Sequence, residues 1–385
     1  MNAGVPFKKC KTSYTDYIDY WLDNYCKINL KYNTIQAYKN IIEKHIIPKL
    51  GKYRLSTITS ARLNSYITEL VEESDFAPTY FKNILKVLKG SFRDACDVYG
   101  FIKYNPARDL RLPRFDKRRE DIKHLYTQKE IDLILNKFSD NDTFTCVFLT
   151  SCYTGMRTGE VCGLTWDDID FEKETINIQH NVYDKLKDGK GRWYIWTTKT
   201  ETGTRKIHLS KTLKIALQNY KKKQDYFKKI YGKRYIYYNV EDVKNQSGKV
   251  VEHRIVREEL SNKDSEKINL IFTRENGLYL GTDITRILFK IIHNELGIKK
   301  CRFYDLRGSY AIKILNNGVE IRDVADLLGH KNIETTENFY ISSTEDSKKY
   351  ATEIFDNISK SETINKIIEY KIDFWFYLDS LTIKI

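Results

Sequence analysis

The sequence has little proline and glycine and no long apolar run. Only 5 Pro and 18 Gly occur among 385 residues, which favours many helices joined by short connections, because these two residues interrupt regular secondary structure. No stretch of 18 apolar residues is present, and the first residues lack the apolar core of a signal peptide. We therefore expect a soluble intracellular protein without a membrane span.

Cysteine is present but forms no pattern. An odd number of thiols, with no Cys-x-x-Cys pair, fits reduced side chains and fits neither a disulfide framework nor a zinc site. The seven cysteines are Cys10, Cys26, Cys96, Cys146, Cys152, Cys162 and Cys301.

Acidic residues are fewer than basic ones. Against 65 Lys and Arg stand 52 Asp and Glu, which gives a net charge of +13. Such an excess attracts polyanions and displaces counterions from nucleic acids, although a solvated lysine-rich surface would give the same total. The hydrophobic fraction of 41% and the charged fraction of 30% are typical of a globular protein, and the length allows two or three domains.

The first part of the chain predicts a helical DNA-binding domain. After a short extension at 1–12, apolar residues recur at helical spacing in four stretches within 13–104. The exposed faces hold many lysines, as in KNIIEK and KNILKVLKG, which indicates a phosphate-facing surface or, alternatively, a solvated one. Residues 105–121, NPARDLRLPRFDKRRED, read as a basic linker between domains that could lie along a DNA backbone.

The second part predicts helices around a small antiparallel sheet. Residues 122–350 form this domain and 351–385 a tail. The last two predicted strands are separated by a turn, so we expect a hairpin whose first strand ends at Lys199. The predicted elements are a helix at 143–153, strands at 174–180, 192–199 and 204–210, helices at 211–230 and 283–296 around an irregular segment at 231–280, and three short helical units in 300–342. The expected fold class is therefore mostly α with a small antiparallel sheet (α+β).

Several polar residues of this domain suit phosphoryl transfer without a metal. Fixed arginines stabilise the charge that develops on an attacked phosphodiester, a tyrosine hydroxyl can attack and store the bond as a phosphotyrosine, and a lysine can protonate the leaving oxygen. No metal-ligand spacing and no P-loop occur, so we expect no cofactor. Each residue alone is weak evidence for a catalytic site, since helix-ending histidines are usually structural and the chain has 28 tyrosines. The candidates are Arg157, Lys199, Arg307, His330 and Tyr340, supported by Glu160 and Tyr304.

Four blocks of this domain resemble the active-site blocks of the tyrosine recombinases. They are TGMRTGEVCGLTWDDID, TKTETGTRKIHL, FYDLRGSYA and DLLGHKNIETTENFY. Their order and spacing are most similar to those of phage and conjugative-transposon integrases, and the resemblance extends over about 13–350. It implies that the N-terminal helices are that family's core-binding domain, a four-helix bundle on one face of the DNA.

The resemblance also assigns a role to each candidate residue. It implies that Arg157 and Arg307 are the two catalytic arginines and that Lys199 is the hairpin lysine. His330 corresponds to the late histidine and Tyr340 to the nucleophile. The acidic partner of the first arginine is Glu160.

The implied function is site-specific DNA recombination. The chain would integrate or excise a mobile element by cleaving and rejoining double-stranded DNA at attachment sites through a 3′-phosphotyrosine. It would act as a homo-oligomer, with a tetramer in the synapse and accessory DNA-bending or excision-directing proteins, in the bacterial cytoplasm at the nucleoid.

Three features depart from the family pattern and leave alternatives open. Tyr304 stands where a histidine is usual, and it can donate a hydrogen bond but cannot act as a base near pH 7. Residues 221–265 are longer than the family needs, and 1–12 are too short for an arm-binding domain. The alternatives are a type IB topoisomerase, which shares this chemistry without pairing sites, and a decayed integrase that only binds DNA.

Overall fold

The protein divides into two compact units, Met1–Asp121 and Ile122–Ile385. The computed structural model describes residues 11–30, 32–113, 124–184, 192–197, 204–244, 250–298 and 301–340. Within these residues, no helix is both long enough and apolar enough to cross a membrane.

The described part of the first unit consists of four helical segments. Three of them continue into a π-helical turn, at Leu22–Cys26, Ile42–Ile46 and Asp94–Val98. The helices are α1 (Tyr14–Trp21), α2 (Tyr32–Ile41), α3 (Ser60–Glu73) and α4 (Pro78–Arg93). This agrees with the predicted bundle.

Local sequence explains where these helices begin, and buried polar contacts hold α1 against α4. The Thr59 side chain accepts a hydrogen bond from the backbone of Arg62 and caps α3, and Pro78 occupies the first position of α4, where a missing N–H costs nothing. The buried Trp21 indole donates to Asp94 at 2.8 Å. Because buried polar groups need partners, this contact fixes the register of the two helices.

The second unit combines helices with two antiparallel sheets. Its helices are α5 (Gln128–Lys137), α6 (Asp142–Thr154), α7 (Thr158–Cys162), α8 (Lys211–Tyr231), α9 (Asp283–Glu295), α10 (Asp305–Leu315), α11 (Ile321–Leu328) and α12 (Glu334–Tyr340). Its strands are β1 (Ile169–Asp170), β2 (Thr175–Ile178), β3 (His180–Asp184), β4 (Trp193–Thr197), β5 (Arg205–His208), β6 (Tyr238–Lys244), β7 (Val250–Arg257) and β8 (Glu266–Ile268).

The described strands follow the orders β1-β2-β5 and β3-β4-β7-β6-β8. The predicted hairpin between 192–199 and 204–210 is wrong, because β4 pairs with β3 and β7 whereas β5 pairs with β2. The two strands therefore belong to different sheets. Lys199, which the prediction placed at the end of the first strand, lies outside the described residues.

The prediction of an irregular segment at 231–280 is also wrong, since β6, β7 and β8 lie there. Charged residues interrupt the apolar alternation by which a strand is recognised in a sequence. In the sheet they face cross-strand partners: Glu241 forms an ion pair with Arg254 at 3.2 Å, and Asp242 contacts His253 at 2.7 Å. Such pairs stabilise neighbouring strands, but only the pairing itself reveals them.

The fold class is confirmed as mostly helical with small antiparallel sheets. A large apolar core joins α5, α6, α8 and α9 to the β1-β2-β5 sheet. A smaller cluster around Trp193 and Tyr279 covers one face of the other sheet. Helix α6 contributes buried residues to the large core and is followed by Gly155, where a polar site begins.

Candidate active site

A glycine ends α6 and directs the chain into the site. Gly155 has φ +61°, a left-handed conformation that favours glycine, and a Cβ there would lie within 3 Å of Tyr310 and Leu328 side-chain atoms. The turn that follows carries Arg157. Its backbone N–H donates to Glu160 Oε2 at 2.9 Å, and its Nη1 donates to Glu160 Oε1 at 2.7 Å. The side chain of Glu160 is only 2% exposed.

A second arginine reaches the same carboxylate. Arg205, the first residue of β5, donates from Nη2 to Glu160 Oε2 at 2.9 Å and from Nε to the carbonyl oxygen of Leu327 at 2.7 Å. The sequence interpretation missed this residue. It is the one arginine of the block TKTETGTRKIHL, so the signal was present, but nothing in the sequence shows that its side chain turns toward Glu160.

Arg307 is the third arginine and is completely buried in α10. Its Nη1 donates to the carbonyl oxygen of Gly155 at 2.8 Å and its Nη2 to that of Leu328 at 2.7 Å. Among the described residues, its Nε has no hydrogen-bond partner. The guanidinium is thus held by two backbone carbonyls and retains a further donor.

The end of α11 holds all three guanidinium groups. Three consecutive carbonyl oxygens, of residues 327–329, accept hydrogen bonds from Arg205, Arg307 and Arg157 respectively, the last at 3.1 Å. The final carbonyls of a helix lack intrahelical donors and carry the negative end of the helix dipole, so they stabilise cations. We call Arg157, Arg205 and Arg307 the arginine cluster.

His330 follows these carbonyls directly. Its backbone N–H donates to the carbonyl oxygen of Ala325 at 2.9 Å. Its Nδ1 lies 2.8 Å from the hydroxyl of Thr336, which is fully buried in α12. Thr336 therefore orients the imidazole from α12.

Burial and charge set the ionisation of these groups. Burial, followed by the charges of Arg307, Arg157 and Arg205, lowers the pKa of His330 to about 4, so the imidazole is neutral at pH 7. Burial and the charge of Arg157 lower the pKa of Arg307 to about 10, and the guanidinium remains protonated. Burial alone would raise the pKa of Glu160, but Arg205 and Arg157 outweigh it and lower that pKa.

The structure brings four of the predicted site residues together: Arg157, Glu160, Arg307 and His330. Tyr304 immediately precedes α10, is 46% exposed, and acts electrostatically on the pKa of Arg307. Lys199 lies outside the described residues. Tyr340 is the last residue of α12, and its side chain also lies outside them. Within the described ranges, no group of three His, Cys, Asp or Glu could hold a metal ion.

Comparison with known proteins identifies the family. The sequence profile of the phage integrase family matches residues 124–346, and that of the phage integrase N-terminal SAM-like domain matches residues 13–71. The chain belongs to the phage integrase family. The match includes every block that carries a candidate residue, so the prediction of a tyrosine recombinase, and hence of a DNA strand-transferring enzyme, is confirmed.

Relatives of this integrase cover most of its length. The "Tyrosine recombinase XerC-like" protein of Caldanaerobacter subterraneus subsp. tengcongensis is 25% identical over 352 residues, which are 89% of this chain and 82% of the relative. The structure of the Tn1549 transposon integrase in complex with transposon right-end DNA has a TM-score of 0.65 at 20% identity, covering 89% of this chain and 99% of that one. A lambda integrase tetramer bound to a Holliday junction has a TM-score of 0.55 at 17% identity, covering 86% and 77%.

Proposed function

We propose that this integrase recombines DNA at specific sites by transferring a strand to Tyr340 and back. The observation that carries the proposal is the convergence of the arginine cluster on the end of α11, beside a neutral His330. Three guanidinium groups and one carboxylate leave two positive charges. That charge suits a phosphodiester, which has one negative charge and approaches two as the nucleophile adds.

Each proposed role follows from the position and chemistry of one group. The Tyr340 hydroxyl attacks the phosphorus, a 3′-phosphotyrosine bond forms, and the bond to the 5′ oxygen breaks. Lys199 gives a proton to that departing oxygen. Arg157, with a side chain 36% exposed, and the remaining donor of Arg307 bind the non-bridging oxygens. A 5′ hydroxyl of another strand then attacks the phosphotyrosine, and the reverse step rejoins the DNA and frees Tyr340.

The neutral state of His330 restricts what it can do. With a pKa near 4 it holds no spare proton at pH 7. It can therefore accept the Tyr340 proton, or donate its one N–H to a phosphate oxygen, and the contact with Thr336 fixes the ring for either role. Tyr304, exposed beside Arg307, contributes one hydrogen bond to the phosphate at the position where the family usually has a histidine.

The first unit supplies the proposed core-binding surface. Helix α4 contains three lysines, one arginine and no acidic residue. Among the described residues its three lysines have no ion-pair partner, so they are available for phosphates. The four lie at helical spacing along a cleft also lined by Trp21: Lys82, Lys86, Lys89 and Arg93. The basic stretch at 105–121 would follow the DNA backbone from this surface.

The proposed partners are double-stranded attachment sites and further copies of the chain. The Tn1549 integrase was solved with transposon-end DNA and the lambda integrase as a tetramer on a Holliday junction. By analogy, four copies would assemble in the synapse at the bacterial nucleoid, with accessory DNA-bending or excision-directing proteins choosing the direction. Residues 122–350 would act as the catalytic domain and 351–385 as an assembly tail.

The decisive experiment traps the covalent intermediate. A suicide duplex, nicked near the cleavage site so that the short leaving strand diffuses away, is incubated with the full chain and resolved under denaturing conditions. Candidate sites come from sequencing genomic fragments that become covalently bound. We expect a protein–DNA band with the wild type and with Tyr226→Phe, a control at a tyrosine that is 60% exposed on α8, and no band with Tyr340→Phe at unchanged DNA affinity.

A covalent band that persists in Tyr340→Phe would contradict the assigned nucleophile. Absence of a band in the wild type would instead favour the decayed integrase that only binds DNA. Relaxation of a supercoiled plasmid that lacks attachment sites would favour the topoisomerase alternative. EDTA is expected to leave the band unchanged, since the proposed chemistry needs no metal.

A further inference from the structure

We propose that Arg205 is a positioning residue of this reaction. Through Glu160 it holds Arg157 in place, and through Leu327 it ties β5 to the end of α11. This inference rests on the proposed function, because the geometry that Arg205 maintains is that of the proposed phosphate site.

The contacts of Glu160 show how Arg205 reaches Arg157. One oxygen, Oε1, accepts from the Arg157 guanidinium at 2.7 Å. The other, Oε2, accepts from the backbone N–H of Arg157 and from Nη2 of Arg205, both at 2.9 Å. The carboxylate is therefore clamped between two arginines, and the one on β5 fixes its position.

Exposure separates the two arginines by role. The side chain of Arg157 is 36% exposed and can meet a substrate, whereas that of Arg205 is only 7% exposed. Nη2 and Nε of Arg205 are engaged by Glu160 and by the carbonyl oxygen of Leu327. Because these two donors already bind protein acceptors, whereas Nε of Arg307 binds none among the described residues, we assign Arg205 a role through its neighbours and not a phosphate contact.

Arg205 also lies close in the sequence to the proposed general acid, Lys199. Arg205 begins β5 six residues after Lys199, and β5 is bound to β2 by the pair Ile178 and Arg205. The side chain and the strand together fix the start of β5. Arg205 therefore links three parts of the site that come from separate elements.

An alternative explanation is that Arg205 and Glu160 are simply a buried ion pair that stabilises the fold. The same unit offers a matched control. Arg254 and Glu241, in the five-stranded sheet, also form a buried pair at 3.2 Å, with side chains 14% and 3% exposed. Neither residue contacts the arginine cluster in the described part of the chain. A purely structural role predicts the same consequences for both pairs.

The test compares single-turnover formation of the covalent complex at saturating suicide DNA with the dissociation constant for the same DNA. Arg205→Met should lower the rate by about 10- to 100-fold, the equivalent of one hydrogen bond to a charged group, with little change in affinity. Arg205→Lys, which keeps the charge but loses the fork, should recover part of the rate. Arg254→Met should react at the wild-type rate even if it melts at a lower temperature.

A double-mutant cycle tests whether the effect passes through Glu160. If it does, Glu160→Gln combined with Arg205→Met should react no more slowly than the slower single variant, because both remove the same arrangement. Additive losses would overturn the proposed route, and so would equal losses in Arg205→Met and Arg254→Met. If Arg205→Met does not fold, a folded Arg205→Lys that reacts at the full wild-type rate overturns the role of the fork.

The outcomes also separate this inference from the function on which it rests. A wild type that forms no covalent complex overturns both. A wild type that forms the complex, together with an Arg205→Met variant that matches its rate, overturns only the positioning role.

Discussion

Replacing Arg307 with methionine should reduce catalysis far more than stability. The guanidinium is completely buried, and two of its nitrogens donate to the carbonyl oxygens of Gly155 and Leu328. Methionine preserves most of the apolar volume and removes the charge and both hydrogen bonds. Leaving each buried carbonyl without its donor costs about 1–3 kcal/mol, so the loss of contacts destabilises the fold by roughly 2–6 kcal/mol.

Removing the buried charge gives a gain in stability of comparable size, which opposes this loss. Burial and the neighbouring Arg157 lower the pKa of Arg307 from 12.5 to about 10. At about 1.4 kcal/mol for each pKa unit, the charged side chain bears an unfavourable free energy of a few kcal/mol. Removing the charge removes that term, as when buried ion pairs are replaced by hydrophobic residues. The net change in the free energy of unfolding should therefore lie between nearly zero and about 3 kcal/mol.

Catalysis has no such compensation. The loss of one donor to the developing charge costs about 3–4 kcal/mol, or 100- to 1000-fold in rate. The assays are chemical denaturation of the free protein and single-turnover cleavage at saturating DNA. A rate within tenfold of the wild type would refute the assigned role. A destabilisation well above 3 kcal/mol would show that the backbone contacts, and not the buried charge, dominate the energetics.

The same variant has a signature in the titration of His330. Among the charges that lower the pKa of His330 to about 4, that of Arg307 is the largest, followed by Arg157 and Arg205, with Glu160 opposing. Without Arg307 that pKa should rise toward 6.5, which NMR can follow. In the wild type the unfolded chain takes up this proton first, so the stabilising contribution is complete above about pH 6.5 and is lost as the pH falls toward 4. In the variant, the pH range over which this stability is lost should be narrower, because the pKa of His330 lies closer to its unfolded value.

Three further predictions follow from the remaining residues. Lys199→Ala should cleave poorly but recover on DNA with a 5′-bridging sulfur, because a thiolate leaves without a proton; no recovery at intact DNA binding would place the general acid elsewhere. Tyr304→His should keep or raise activity, whereas Tyr304→Phe should lose roughly 1–3 kcal/mol of transition-state stabilisation, the value of one hydrogen bond. An inactive Tyr304→His would show that the site is packed around the phenol. Residues 361–385 are rich in Ile and Phe and would be unfavourable in water, so we expect them to dock on a neighbouring copy. Their removal should spare half-site binding but abolish cooperative binding to a full site in gel-shift titrations. Unchanged cooperativity would refute this docking.

Helices were predictable from the sequence because their signals are local. The apolar spacing in the first part of the chain agrees with α1 and α4, and Thr127 with Glu130 forms a capping box at the start of α5, a signal that lies within four residues. Strand partners were not predictable, since neighbours in a sheet can be far apart in the chain. The sequence shows β4 and β5 flanking a turn, but only the fold shows that they pair with β7 and β2.

The candidate site was predictable where motif residues act through their own side chains. Arg157, Glu160, Arg307 and His330 meet as the blocks implied. Arg205 escaped the sequence interpretation because its importance lies in its contacts with a carboxylate 45 positions away and with a backbone carbonyl 122 positions away. Every residue type supplies a backbone carbonyl, so the amino-acid sequence does not show which side chains bind one.

The carbonyl oxygens at residues 327–329 also limit when the proposed anion site can first form during synthesis. A nascent chain that ends before Ile321 contains Arg157, Arg205 and Arg307 together with Glu160 and the carbonyl oxygen of Gly155. It lacks the acceptors at residues 327–329, because α11 has not yet been synthesised. Mutual repulsion would then keep the guanidinium groups apart. The anion site should therefore form only when α11 folds, just before the segment carrying the nucleophile emerges, and incomplete chains would not engage a DNA strand there.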